Sequence, residues 1–265
     1  MSLVKLVMEA APRVSVLYMS RPPVNAMNTA LLTDIAKTVQ QVENERGSEG
    51  WGLVIAADNP TTAPTFSAGL DLSEMYQKSE AQLSEFWSAV QDVWLAVYSS
   101  RLATVAAVNN HAPAGGCFLT SSCDYRIGAS DQPKARIGLN EAKFGLVAPI
   151  WFATTLQATV GVRQADRMLQ LGELISFEDA KKFSLFDELV PRADLISTAV
   201  KRAGEWASNG PAEARYQSKM LFRKPYLDHL RENRKADIDI FVKRVMAKSM
   251  QEDLGKYLAS LKKGK

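Results

Sequence analysis

The chain of 265 residues is 46% hydrophobic and 23% charged, fractions of an ordinary globular protein that exclude disordered, collagen-like and coiled-coil classes. Lys and Arg number 32 against 29 Asp and Glu, a net charge of +3, too small a surplus to argue for a nucleic-acid partner. The two histidines and two cysteines have no zinc-ligand spacing, so no metal is expected, and no disulfide framework beyond one bridge is possible.

Val14 to Met19 alternates and reads as a strand ending at Pro22-Pro23. Asn28 to Arg46 sets Leu31, Leu32, Ile35, Val39 and Val42 on one face, which predicts a helix. Leu53 to Ala57 is a short apolar strand between Gly52 and the turn residues Asp58-Asn59-Pro60. After Ser73, the residues Leu83, Phe86, Trp87, Val90, Val93, Trp94, Val97 and Tyr98 recur at helical spacing, and the aromatics among them read as core. Thr104 to Val108 is the next strand, followed by a loop from Asn109 to Gly116 and a short buried helix over Cys117 to Ser122. Cys117 and Cys123 flank that apolar run and read as buried free thiols. Cys123 to Ala129 and Ala135 to Leu139 are two further strands.

Beyond Trp151 the pattern is mainly helical, punctuated at Gly161, Gly172, Gly210 and Pro225. The expected architecture is an α/β core over residues 1–190 with a helical region over residues 191–265. Residues 219–265 carry 13 basic and 6 acidic side chains, read as solvated helix faces in preference to an anion site. Apolar stretches reach only about five residues, so no membrane span is expected. Few cysteines and no secretory hydrophobic region point to a reducing compartment.

Two glycine-bearing loops, Phe66 to Leu72 and Pro113 to Gly116, sit where strands give way to helices. Backbone N–H groups at such junctions are free to point at an oxygen, and glycine allows close approach. Each loop alone is more often a plain turn; together they could supply two N–H groups to one oxyanion. Neither matches a phosphate-cradling motif. Glu141 stands beside the apolar run Phe144 to Phe152, where it is either a surface cap or a general base in a water-poor pocket. Asp71 and Asp124 read as structural loop-binders, Glu74 as a first-turn helix residue, and His111 as a loop histidine without a partner at triad spacing.

Taken in order and with their spacing, several segments resemble the crotonase (enoyl-CoA hydratase/isomerase) superfamily: Phe66-Ser67-Ala68-Gly69-Leu70-Asp71-Leu72, Val108-Asn109, Pro113-Ala114-Gly115-Gly116-Cys117, Cys123-Asp124-Tyr125-Arg126, Ile137-Gly138-Leu139-Asn140-Glu141 and Gly145. The resemblance spans Val14 to Pro191. Pro113 to Cys117, Gly138 to Glu141 and Ala148-Pro149-Ile150-Trp151 look like the Δ3,Δ2-enoyl-CoA isomerase branch, which serves β-oxidation of unsaturated fatty acids in mitochondria.

The resemblance implies a spiral of ββα units with a helical C-terminal trimerisation region. It also implies an enoyl-CoA thioester substrate, with no cofactor beyond the CoA of the substrate itself. Leu70 and Gly115 fall on the positions whose N–H groups form the family's oxyanion hole. Ala68, Gly69, Leu70, Asp71 and Leu72 fall on the segment lining the acyl-CoA site, Asn140 on a substrate-contacting position and Glu141 on the catalytic glutamate. Phe118 stands where hydratases carry a second glutamate, and is expected to face the substrate. Asn110 replaces a common glycine, and tolerance of positive φ by Asn is expected to preserve the turn.

A double-bond shift consumes no water, so one carboxylate suffices, whereas hydration calls for a second. The isomerase reading is therefore preferred over an enoyl-CoA hydratase, another crotonase-type acyl-CoA enzyme, or a silent acyl-CoA-binding relative. The resemblance implies the mitochondrial matrix, although Met1 to Lys5 is not an arginine-rich transit sequence and Lys263-Gly264-Lys265 is not a peroxisomal tripeptide.

Overall fold

The computed structural model describes residues 2–263. The readings of the two chain ends rest partly on Met1, Gly264 and Lys265, which lie outside the described residues. The chain opens with an antiparallel pair, β1 (Val4–Ala11) and β2 (Val14–Met19), followed by α1 (Thr29–Arg46), β3 (Gly52–Ala57), α2 (Glu80–Tyr98) and β4 (Ala103–Val108). Then come β5 (Ala112–Pro113), α3 (Gly115–Ser122), β6 (Tyr125–Ala129) and β7 (Ile137–Gly138). The remainder is α4 (Ile150–Val160), α5 (Val162–Leu171), α6 (Phe177–Lys182), β8 (Glu188–Val190), α7 (Leu195–Ser208), α8 (Ala212–Val245) and α9 (Lys248–Lys263).

The main sheet runs β1-β2-β3-β4-β6-β8, parallel from β2 onward, and β5 pairs with β7 in a second small sheet. The strand–strand–helix step β4-β5-α3 is followed by β6-β7, and successive steps stack through the parallel pairs. This is the expected ββα spiral. Strands with both faces covered need apolar residues on both sides, and β3 and β4 are buried throughout. Leu17, Leu53, Ile55, Ala106 and Val108 face the large core under α1, α2 and α3. Val14, Val16, Val54, Ala56, Val105 and Ala107 face Leu195, Ala199 and Ala203 of α7. The 190/191 division falls between β8 and α7, yet α7 itself covers one face of the sheet.

Helix starts follow local chemistry. Asn28 caps α1 by accepting from Leu31 N–H, and Ser79 and Gln82 form a capping box at α2. Three strands were not read from sequence: β1 and β8 are the two sheet edges, where half-exposed residues blur the alternation, and β5, only two residues long, falls within the segment expected to be a loop. Both cysteines are buried and free. The basic C-terminal surplus divides: most pairs on α8 and α9 are exposed, but Lys219 and Arg223 turn inward onto buried Asp124.

Candidate active site

Pairing of β5 with β7 brings the second glycine loop to Glu141. Ala112 N–H donates to Arg136 O and Ala114 N–H to Gly138 O, at 2.9 and 2.8 Å. Ala114 turns the chain at positive φ (47°), so that α3 begins at Gly115. The first loop is tied to the second through the carbonyl of His111, which accepts from Phe66 N–H, Ser67 N–H and the Thr65 hydroxyl. Met27 N–H donates to Gly69 O, and Asp71 N–H donates to Met27 O. The loops touch so closely that a Cβ at Gly115 would lie 3.0 Å from Leu70 N, and one at Gly69 would lie 3.1 Å from Gly115 N. Among the described residues, neither the Leu70 nor the Gly115 N–H donates to the protein.

Glu141 opens a short 3-10 turn, Glu141–Phe144, closed by Gly145 at positive φ. Its main chain is held by Leu146 N–H donating to Glu141 O, but its buried Oε2 has no partner. Burial pushes the carboxyl up to about 7, against a hydrogen bond from its own backbone. Asn140 Oδ1 beside it is likewise buried and unpartnered.

Two adjoining cavities meet at Leu70, Met75, Glu141 and Leu146. The larger, ≈ 300 Å³, is walled by Trp87, Phe152, Phe241 and Ile240, with Asp237 and Arg244 as its other charged groups. The smaller, ≈ 120 Å³, is lined by Ala68, Leu72, Ala114, Asn140 and Tyr257 among others. A partly enclosed apolar space with few polar groups is the usual form of a small-molecule site.

The structure therefore gathers Ala68, Leu70, Leu72, Asn140 and Glu141 at the cavities, with Gly69 and Gly115 supporting the loops behind them. Asp71 turns away: it accepts from Ser73 N–H and pairs with Arg21 at 2.8 Å. Phe118 does not line either cavity. It is buried, stacked on Phe152 with centroids 3.8 Å apart and edge-on to Trp151, so Phe152 rather than Phe118 presents a ring to the cavity. Asn110 is another correction. It is not among the positive-φ residues; its Oδ1 instead accepts from His111 N–H.

His111 Nδ1 accepts from Arg136 N–H, and burial, with Arg136 adding, pulls its pKa down, which suits a neutral structural acceptor. Asp124 binds Thr104 N–H as expected but is chiefly the anion of a buried ion cluster. Trp87, read as core, reaches the larger cavity. Asp237, Ile240, Phe241 and Arg244 of α8 escaped sequence reading altogether, because a charged, exposed helix pattern carries no sign of which turn meets a distant cavity.

The family model for enoyl-CoA hydratase/isomerase matches residues 9–264. The chain is 38% identical to human mitochondrial enoyl-CoA delta isomerase 1 over 257 residues, 97% of this chain and 83% of the relative. The Mus musculus enzyme of the same name is 39% identical, covering 97% and 86%. The crystal structure of human mitochondrial delta3-delta2-enoyl-CoA isomerase superposes with a TM-score of 0.93 at 37% identity, covering 100% of both chains. The chain belongs to the enoyl-CoA hydratase/isomerase family.

Proposed function

We propose that this protein is a Δ3,Δ2-enoyl-CoA isomerase of fatty acyl-CoA metabolism, moving a C3=C4 double bond to C2=C3. The carrying observation is Glu141: a buried carboxylate in an apolar cavity, with one oxygen unpartnered and its pKa raised to about 7. Such a group is a base at neutral pH and, once protonated, an acid of matching strength. Glu141 takes a proton from C2, the electron pair delocalises onto the thioester oxygen as a dienolate, and the same proton returns at C4. The free N–H groups of Leu70 and Gly115 receive the developing negative charge, each donor contributing on the order of 3 kcal/mol to such a transition state.

No further cofactor enters this scheme. Water is not consumed, and the rings of Phe152, Trp87 and Phe241 exclude it. The two mammalian relatives are named as mitochondrial, which supports the same compartment here. Leu221 and Phe222 stand exposed side by side on α8, 77% and 80% accessible, an apolar pair suited to contact between copies in a homotrimer; light scattering gives the mass that decides it.

The deciding assay is turnover of 3-hexenoyl-CoA with product identification, run beside crotonyl-CoA plus water. Formation of 2-hexenoyl-CoA with little hydration is the expected result. Hydration of crotonyl-CoA at the rate of isomerisation or faster replaces the reading with a hydratase, and binding of both esters without turnover replaces it with a silent relative.

A further inference from the structure

Resting on the acyl-CoA reading above, we infer that Asp237 is a specificity-determining residue that limits the length of acyl chain the larger cavity accepts. The wall of that cavity is apolar apart from Glu141, Asp237 and Arg244. Glu141 belongs to the reacting end. A chain that fills this cavity meets Phe152, Trp87 and Phe241, whose rings form one continuous packed surface: Trp87 lies 6.4 Å from Phe152 and is stacked on Phe241 at 3.9 Å. At the polar edge of this surface sits Asp237, on α8. Its Oδ2 accepts from Trp87 Nε1 at 2.7 Å and Gln91 Nε2 at 2.8 Å. Trp151 Nε1 adds a bond split between the two oxygens, at 3.3 Å to each.

These donors tie α2, α4 and α8 together, and they are unevenly shared. Among the described residues, Oδ1 receives only the long, divided bond from Trp151, although each carboxylate oxygen has two acceptor sites. That leaves acceptor capacity at the cavity edge without a protein donor among the described residues. A methylene chain long enough to cover Oδ1 shuts it from solvent and offers no donor in return, an unfavourable exchange. Shorter chains stop before it. The carboxylate thus holds the aromatic wall in place for every substrate and penalises only those that extend past it.

The test is a chain-length series on wild type, Asp237→Asn and Asp237→Leu. Affinities of hexanoyl-CoA and dodecanoyl-CoA are measured by calorimetry, and kcat/KM by turnover of the corresponding 3-enoyl-CoAs. Asp237→Asn keeps an acceptor for Trp87 and removes the charge, so it remains informative if the leucine variant fails to fold. The expected result is a rise in the dodecanoyl to hexanoyl preference of about tenfold for Asp237→Leu, the gain from burying roughly two further methylenes, and a smaller rise for Asp237→Asn. A preference unchanged within twofold in the folded variants, with all lengths weakened equally, overturns the inference and leaves Asp237 as packing alone. The two readings fail separately: tight acyl-CoA binding with a shifted length preference but no isomerisation would reject the catalytic assignment and retain the role of Asp237.

Discussion

Glu141 and Asp124 are both buried carboxylates, and their neighbours drive them in opposite directions. At Glu141 burial acts almost alone, and the carboxyl rises to about 7. At Asp124 burial also works against ionisation, but Lys219 and Arg223 overcome it and hold the group down at about 2. The first can therefore gain and lose a proton near neutral pH, as the proposed reaction requires, and the second is a fixed charge. Replacing Glu141 with Gln keeps the shape and removes the base, so kcat is expected to fall by about 10²–10⁴-fold with acyl-CoA affinity within a few-fold. Single-turnover kinetics and a binding titration separate the two effects, and retention of a tenth of the rate would exclude Glu141 as the proton carrier.

The pH dependence has a definite sign. The base works ionised, so kcat/KM is expected to fall about tenfold per pH unit below 7 and to level off above it. Stability runs the other way. At low pH the carboxyl is protonated in folded and unfolded chains alike; as pH rises the unfolded chain ionises first, and stability is lost until the folded group ionises near 7. The loss is about 3 kcal/mol when complete. Denaturant melts of wild type and Glu141→Gln are expected to coincide at acid pH, to separate between about pH 4.5 and 7, and to keep a constant gap above neutrality, with the variant the more stable.

At the scale of elements, the site is a product of β5 and β7, two strands of two residues each. Their pairing places the start of α3 beside the turn that carries Glu141, and the carbonyl of His111 fastens the other loop to the same point. Gly115 is at the closest approach. Adding a methyl there sets a carbon 3.0 Å from Leu70 N, with backbone of Gly69 at 3.2 Å, and the loops must part. Gly115→Ala is expected to lower turnover by about 10²-fold, comparable with losing one oxyanion donor, while the fold persists; a drop of less than fivefold would contradict the two-loop arrangement.

Behind the site, α3 and α4 are joined by the stacked pair Phe118 and Phe152. Truncating Phe118 to Ala opens a void and is expected to destabilise the protein by about 3–5 kcal/mol. Thermal denaturation measures it, and a change under about 1 kcal/mol would mean that the surrounding rings close the gap.

Across the whole molecule, α8 is the strap that completes the cavity. Lys219 Nζ donates to Ser100 O, Leu102 O and Asp124 Oδ2 at 2.8, 2.9 and 2.7 Å, and Arg223 pairs with the other carboxylate oxygen at 2.8 Å. Burial pulls the Lys219 ammonium down to about 8 even with Asp124 opposing, which leaves the pair ionised at neutral pH. Removing the anion strands two buried cations. Asp124→Asn is expected to cost about 3–5 kcal/mol and to loosen the far turns of α8, which carry Asp237 and Phe241. Urea denaturation reads the first effect and weakened acyl-CoA binding the second; stability equal to wild type would show that the cluster does not hold the strap.

How much of this was legible beforehand follows from the range over which each feature is decided. Strands β2, β3 and β4, helices α1 and α2 and both glycine loops are local patterns of period two, period three to four, or turn chemistry, and they stand where the sequence placed them. Glu141 was visible because its apolar neighbours are adjacent in the chain. The buried, unpartnered oxygen on which the proposed base rests was not, since burial depends on α2 and α8, distant in sequence. Phe118 shows the same limit: its place after the glycine pair was plain, but only packing against α4 decides that its ring stacks on Phe152 instead of lining the cavity. Asp124 looked like a loop-binder because its local bond to Thr104 is real, while the cations that define it arrive from α8. The amino-acid sequence by itself determined the central strands and helices, the family and the residues able to do chemistry, because these depend on side-chain type and short spacing. The tertiary structure alone decided which of them meet, which are dry and which charges are paired, because desolvation and contact are set by segments brought together only on folding.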